Sequence, residues 1–253
     1  MIFSAKNTVL ICLVFSVLLT NCGHDNHYTL RLDINLPENV LDYNGTPTSA
    51  QDRQSLVFSD QGAWFGYGLT TSPADYGGFA GPFLMTQENG VWCSPNISQL
   101  TLKDVQSSQF IDWQTFRVKS SSANSHLTQI YDNDQYLITQ LLFYMSPHCA
   151  VIVTSIHNDT DEIVHIKPAW QGKSFLENIQ LQHDGQSVLI HSDLSSALGM
   201  IQVVESQIMD IQIDEHSSYI IQLDEMEIPP GGTGLLVLTH SFVFPEYESE
   251  GGG

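Results

Sequence analysis

The chain has 253 residues, of which 42% are hydrophobic and 10% aromatic, enough apolar material for one large domain or two small ones. Its 28 acidic side chains against 8 basic ones leave a formal charge of -20. That balance argues against nucleic acid and anionic membrane surfaces, both of which need clustered Lys and Arg; it suits a neutral ligand such as a sugar, and its simplest role is solubility.

In chain order, the first element is a leader. Lys6 is followed by an apolar run from Val9 to Leu19, shorter than the ~20 residues of a membrane span. Leu18-Leu19-Thr20-Asn21-Cys22 then resembles a bacterial lipobox, in which cleavage precedes a cysteine that becomes diacylated. Asn21 stands where Gly, Ala or Ser is usual, and an ordinary signal peptide cut nearby is the other reading. The domain plan is a signal peptide over 1–21, a tether and first strand over 22–35, a β-sandwich over 36–245, and a disordered acidic and glycine tail over 246–253. Cys22 is the lipidation site of that plan, which places the chain in the envelope, facing the periplasm or the cell surface.

Beyond residue 22 alternation dominates, and no long helical period competes with it. Tyr28, Leu30, Leu32 and Ile34 alternate with polar residues, as do Met209, Ile211 and Ile213. Leu236, Leu238, His240, Phe242 and Phe244 share one face of a long run. Tyr136 to Met145 and Cys149 to Ile156 are nearly continuous, the pattern of strands covered on both faces. Asp184-Gly185 between Ile179–Leu181 and Val188–Ile190 is a hairpin signature. Asp132-Asn133-Asp134 and Asn158-Asp159-Thr160-Asp161 are further breakers, and Pro229-Pro230-Gly231-Gly232 introduces the last strand. The expected fold is all-β, a large antiparallel sandwich, with a barrel as the alternative.

The stretch Asp60 to Pro82 differs in character. Six glycines are interleaved there with Trp64, Phe65, Tyr67, Tyr76 and Phe79. Large rings between glycines predict a pair of ordered loops packed against something, not a simple ladder.

This stretch resembles the N-terminal domain of family 63 glycoside hydrolases, the family of mannosyl-oligosaccharide glucosidase and its bacterial relatives. The resemblance rests on Phe58, Asp60, Gly62-Ala63-Trp64-Phe65-Gly66, Gly77-Gly78-Phe79-Ala80-Gly81 and Phe83-Leu84-Met85. Asn39-Val40-Leu41, Gly45-Thr46-Pro47 and the run Thr233 to Phe242 resemble the family's opening and closing segments, so the likeness spans roughly residues 39 to 248. It implies a supersandwich-like N-terminal domain that precedes an α/α toroid, which carries the acid and base of inverting α-glucoside hydrolysis. The chain has no segment for that toroid, which makes the expected partner a catalytic domain supplied in cis or encoded separately.

Within this chain no catalytic residue is assigned. Hydrolysis needs two carboxylates ~6.5–9.5 Å apart; Asp60 and Glu88 flank the glycine-rich stretch, but Asp60 reads as a loop brace. Trp64, Phe65, Tyr67 and Phe79 have two readings, as stacking platforms for an α-linked oligosaccharide or as core and interdomain packing. Gly62, Gly66, Gly77, Gly78 and Gly81 are the structural part of the motif. Cys93 and Cys149 either pair in an oxidising compartment or remain buried thiols. No zinc spacing, serine-nucleophile elbow or phosphate loop is present, and no cofactor or metal is expected. The competing function is a stand-alone carbohydrate-binding envelope lipoprotein.

Overall fold

In the computed structural model, residues 38–85, 89–177, 179–192, 198–214 and 217–243 are described. The leader, Cys22, the alternating run 28–34, Glu88, Phe244 and the 246–253 tail lie outside them. The described strands are β1 (Phe65–Leu69), β2 (Phe79–Leu84), β3 (Val91–Trp92), β4 (Gln99–Asp104), β5 (Arg117–Ser122), β6 (His126–Asp132), β7 (Tyr136–Ser146) and β8 (Cys149–Asn158). They continue as β9 (Val164–Lys173), β10 (Ile179–His183), β11 (Ser187–Ser192), β12 (Leu198–Val204), β13 (Ile208–Ile213), β14 (Ser218–Leu223), β15 (Met226–Ile228) and β16 (Thr233–Val243).

The strands form a sandwich, as the alternation predicts. One layer is an eight-stranded antiparallel sheet in the order β10-β11-β12-β16-β8-β7-β6-β5. The other is built from a five-stranded sheet of β13, β14, β9, β15 and β4 and a three-stranded sheet β1-β2-β3. The inward row of β16, comprising Leu236, Leu238, His240 and Phe242, is buried, and its partners on β8 include Ala150, Ile152 and Thr154, also buried. A continuous apolar cluster joins these rows to Phe65, Tyr67, Leu100, Trp170 and Tyr219 of the second layer.

The turn chemistry does what the sequence suggests. The Asp184 carboxylate accepts from the backbone N–H of Gln186 (2.9 Å) and Ser187 (2.8 Å), and Gly185 takes φ +87°, which closes β10 onto β11. Asn133 Oδ1 accepts from the N–H of Gln135 and Tyr136 between β6 and β7. Buried Asn158 donates through Nδ2 to Glu162 O and Ile228 O, tying the end of β8 to β15.

Three expectations are corrected. Strand β7 is not fully covered on both faces: its inward residues are buried, but Leu137, Thr139, Leu141, Phe143 and Met145 are only partly covered, whereas on β8 the far-face Val151 is buried beside half-buried Val153 and Ser155. Met209 does not share a buried row with Ile211; a register shift between Ile208 and Asp210 inserts an extra residue and leaves Met209 exposed. The stretch Asp60 to Pro82 is not simply a loop pair: Phe65–Leu69 is strand β1 and Phe79–Pro82 begins β2, and the two pair as an antiparallel ladder across the intervening turn.

Candidate functional site

The β1-β2 ladder explains why glycine and large rings alternate. Tyr67 on β1 lies opposite both Gly81 and Pro82, a bulge in β2 between the pairs Gly66↔Phe83 and Gly68↔Ala80. Gly81 accommodates it with φ +114°. On the other edge of β1, Phe58 and Tyr67 exchange backbone hydrogen bonds of 2.8 and 2.9 Å. A Cβ on Gly66 would fall 2.6 Å from Phe58 O, so only glycine admits this approach.

With β1 enclosed, its rings have one place to go. Phe65, Tyr67 and Phe79 are at most 2% exposed. Phe65 packs against Tyr144 and Phe242 at ring-centre distances of 5.3 and 4.9 Å. Of the readings of these three rings, the structure has core packing, not an exposed sugar platform or interdomain face: Phe65 and Tyr67 on β1 and Phe79 on β2 are all enclosed within the sandwich. Trp64 is different, at 47% exposed on the rim of the same segment. Asp60 braces the tight turn before β1, with its carboxylate accepting from Gln61 N–H (2.7 Å) and its carbonyl from Ala63 N–H (3.0 Å). Gln61 and Gly62 take positive φ there.

The second glycine motif is held by a cradle of buried polar groups. Gly77 N–H donates to the Tyr131 hydroxyl (3.0 Å), and Gly77 O accepts from Gln140 Nε2 (3.0 Å) and Leu100 N–H (2.8 Å). Gly78 O accepts from Gln129 Nε2 at 2.6 Å. Gln129 and Gln140 are fully buried on the inward rows of β6 and β7. A Cβ on Gly78 would sit 2.4 Å from Ser98 O, and one on Gly77 2.7 Å from Leu100 O. These glycines serve close approach between the layers, not ligand binding.

A chain of hydrogen bonds unnoticed in the sequence runs through the core. Tyr67 Oη lies 2.7 Å from His240 Nδ1, His240 Nε2 lies 2.8 Å from Ser98 Oγ, and Ser98 Oγ lies 2.5 Å from Tyr219 Oη. Tyr219 donates to Ile97 O at 2.8 Å. That last carbonyl can only accept, so for a His240 kept neutral by its burial it fixes every proton. Tyr219 spends its proton there and accepts from Ser98, which must then accept from His240 Nε2–H, leaving Nδ1 to accept from Tyr67. The one proton of the neutral imidazole therefore sits on Nε2. Burial drives its pKa down to about 3 and holds the Tyr67 phenol well above its ordinary range. Serine and histidine here form a satisfied structural network, sealed from substrate. The signal available in the sequence was a histidine on the otherwise apolar row Leu236, Leu238, Phe242, since such a buried polar group requires partners.

The two cysteines among the described residues are free: Cys93 is buried and Cys149 partly so. Desolvation raises the Cys93 thiol to about 12 and moves Cys149 upward too. Among the described residues no group of His, Cys, Asp and Glu is placed to hold a metal ion.

The feature of the fold that faces outward with apolar character is the far side of the eight-stranded sheet. Register places Leu141 and Phe143 of β7 opposite Val153 and Val151 of β8, and these opposite Val237 and Thr239 of β16; Leu141, Phe143 and Val153 are partly exposed, whereas Val151, Val237 and Thr239 are buried. Val204 and Gln202 of β12 extend the same rows. Leu137, Met145, Leu198 and Leu235, the last 48% exposed, mark its margins. This face, more than the glycine-aromatic motif, presents partly exposed apolar side chains.

Comparison with known proteins follows the same line. No curated protein matches the chain. Among solved structures, a chain described as a kojibiose phosphorylase from the human microbiome superposes with a TM-score of 0.47 at 8% identity, over 72% of this chain and 29% of that one. A polysaccharide lyase superposes with a TM-score of 0.48 at 12% identity, over 74% of this chain and 33% of that one. The chain spans about a third of the length of either, and likeness at this level speaks to neither activity nor substrate. The family described as "Glucosidase YgjK, N-terminal" matches residues 34–214, which is most of the chain and nearly all of the sandwich up to β13. The chain therefore belongs to the family of the glucosidase YgjK N-terminal domain.

Proposed function

We propose that this protein is the non-catalytic β-sandwich of an α-glucosidase-type glycoside hydrolase of family 63, and that it supports an α/α-toroid catalytic domain in oligosaccharide breakdown. The observation that carries this reading is the glucosidase N-terminal family match over residues 34–214. The outer face of the eight-stranded sheet, with Leu141, Phe143 and Val153 partly covered, gives such a partner an apolar surface to bury. Asp60, the carboxylate nearest the family motif, is spent on its own turn, consistent with chemistry carried by another domain. Export and lipid tethering through Cys22 belong to the same proposal and rest on the leader alone.

The test is an activity and assembly experiment. The purified chain should leave a panel of α-glucosides intact. Added to a family 63 toroid domain that lacks its own sandwich, it should form a one-to-one complex by light scattering. Leu141→Glu should weaken that complex at least ~10-fold, as expected for a charge forced into an apolar interface. Hydrolysis by the chain alone, lost on changing a single carboxylate, would overturn the proposal.

A further inference from the structure

Two grooves meet at Phe110, on the opposite layer from the apolar sheet face. Phe110 is 68% exposed, the most exposed large hydrophobic side chain among the described residues. Its backbone is not loose. Residues 109–111 run along the edge of β4, with Asp104 N–H donating to Gln109 O (2.9 Å) and Ile111 N–H to Leu102 O (2.8 Å). The connecting loop is pinned where the Asp104 carboxylate accepts from both the N–H and the hydroxyl of Ser107, each at 2.6 Å. On the other side, buried Trp113 donates from Nε1 to Leu100 O at 3.1 Å. A ring held out on a rigid hairpin loses little freedom when something stacks on it.

The first groove, about 340 Å³, lies between this hairpin and the outer faces of β4 and β9, and is lined by Gln99, Thr101, Asp112, Gln114 and Gln171. The second, about 600 Å³, lies between the hairpin and the turns after β6 and β8, and is lined by Asp104, Gln109, Asn133, Gln135, Glu162 and Ile163. Both sizes fall within the range of small-molecule sites. Their chemistry is consistent: carboxamides and carboxylates around one exposed ring, with no Lys, Arg or His in either lining. The carboxamides of Gln109, Gln114 and Gln135 make no hydrogen bond within the described residues and remain available as paired donors and acceptors. Gln171 Nε2 already donates to Gln99 Oε1 (3.0 Å), which orients both amides on the groove floor.

We propose that the two grooves beside Phe110 form a binding site for a neutral oligosaccharide. The phenyl ring takes the C–H face of one sugar ring, and the amides and carboxylates take hydroxyls on either side. An anionic sugar is repelled by Asp104, Asp112 and Glu162, which have no base to offset them in the lining. The ring plays the part first expected of Phe65, Tyr67 and Phe79, from a position outside the glycine-aromatic motif. The inference stands on the lining of the grooves and does not need the catalytic partner proposed above.

The experiment titrates the full chain with maltotriose, cellotriose and mannotriose, with a trigalacturonate as the anionic control and spermidine as the cationic one. Calorimetry gives the affinity, and the side-chain amide signals of Gln99, Gln114 and Gln171 give the location. At least one neutral trisaccharide should bind with a Kd of ~0.1–1 mM and shift those signals. Phe110→Ala should weaken it at least ~10-fold, and Gln114→Ala should weaken it too; both side chains are surface groups, and circular dichroism checks that each variant stays folded. The proposal is overturned if no neutral trisaccharide binds by ~10 mM, if Phe110→Ala binds like the parent, or if either charged control binds the grooves more tightly. None of these results touches the toroid complex, so the two proposals fail separately.

Discussion

Acid should unfold this protein partly through one residue, His240. In the folded state it is sealed between Tyr67 and Ser98 as a neutral imidazole, with a pKa of about 3 set by burial. In the unfolded chain it returns to its ordinary value of 6.5. A histidine whose folded pKa is depressed contributes stability that is present above the unfolded pKa and is lost as pH falls toward the folded one. The unfolded state takes up a proton that the folded state refuses, at about 1.4 kcal/mol per pH unit. From pH 7 to pH 4 the loss from this group is about 3 kcal/mol, and it hardly depends on how far below 4 the folded pKa lies. That is a large share of the ~5–15 kcal/mol that holds an ordinary domain together. Urea unfolding of the parent and of His240→Gln at pH 7, 6, 5 and 4 isolates the contribution. The variant should be less stable at pH 7, because an amide cannot meet Tyr67 and Ser98 with the geometry of the ring it replaces, but its stability should fall by about 2–3 kcal/mol less over the acid range. Carboxylates that lose their own hydrogen bonds, such as Asp52 and Asp104, titrate in both proteins and cancel in the difference. Equal slopes for parent and variant would refute the assignment of a buried neutral imidazole.

Three more outcomes follow from the geometry. Gly78→Ala, whose Cβ would meet Ser98 O at 2.4 Å, should cost about 3 kcal/mol by chemical unfolding, whereas Gly62→Ala, strained at φ +75° but with nothing within 4 Å, should cost about 1; equal costs would remove the close-approach argument. Cys93 should resist thiol reagents until the protein unfolds, and peptide mapping after air oxidation should show no Cys93–Cys149 crosslink, since both are free thiols and burial holds Cys93 at about 12. Mass spectrometry of the mature protein should find diacylglycerol on an N-terminal Cys22, and Cys22→Ser should move it out of the membrane fraction; an N-terminus at any other residue decides for an ordinary signal peptide.

Much of the architecture was legible in local pattern, because strand period and turn chemistry are local properties. The row Leu236, Leu238, His240, Phe242 alternates in the sequence and is buried as a row in the sheet. Asp184-Gly185 and Asn133 close the turns that their side chains imply. The glycine-aromatic motif also marked the family, and the match over residues 34–214 agrees with the glucosidase N-terminal part of that resemblance.

What the motif does was not legible there. Whether Phe65, Tyr67 and Phe79 meet a ligand or a core depends on what covers the β1-β2 ladder; Phe58 is a near neighbour in the chain, but Tyr144 and Phe242 of the large sheet come from far along it. The partners of His240 are likewise remote: Ser98 lies 142 residues away and Tyr67 173, so only folding joins them. The same holds for the grooves beside Phe110, which take walls from β4, β9 and two turns. The sequence by itself determined the alternation, the turns and the family, since these are written in neighbouring residues. The tertiary structure alone decided which faces are sealed and which are open, because burial is a property of two surfaces meeting and no single strand carries both.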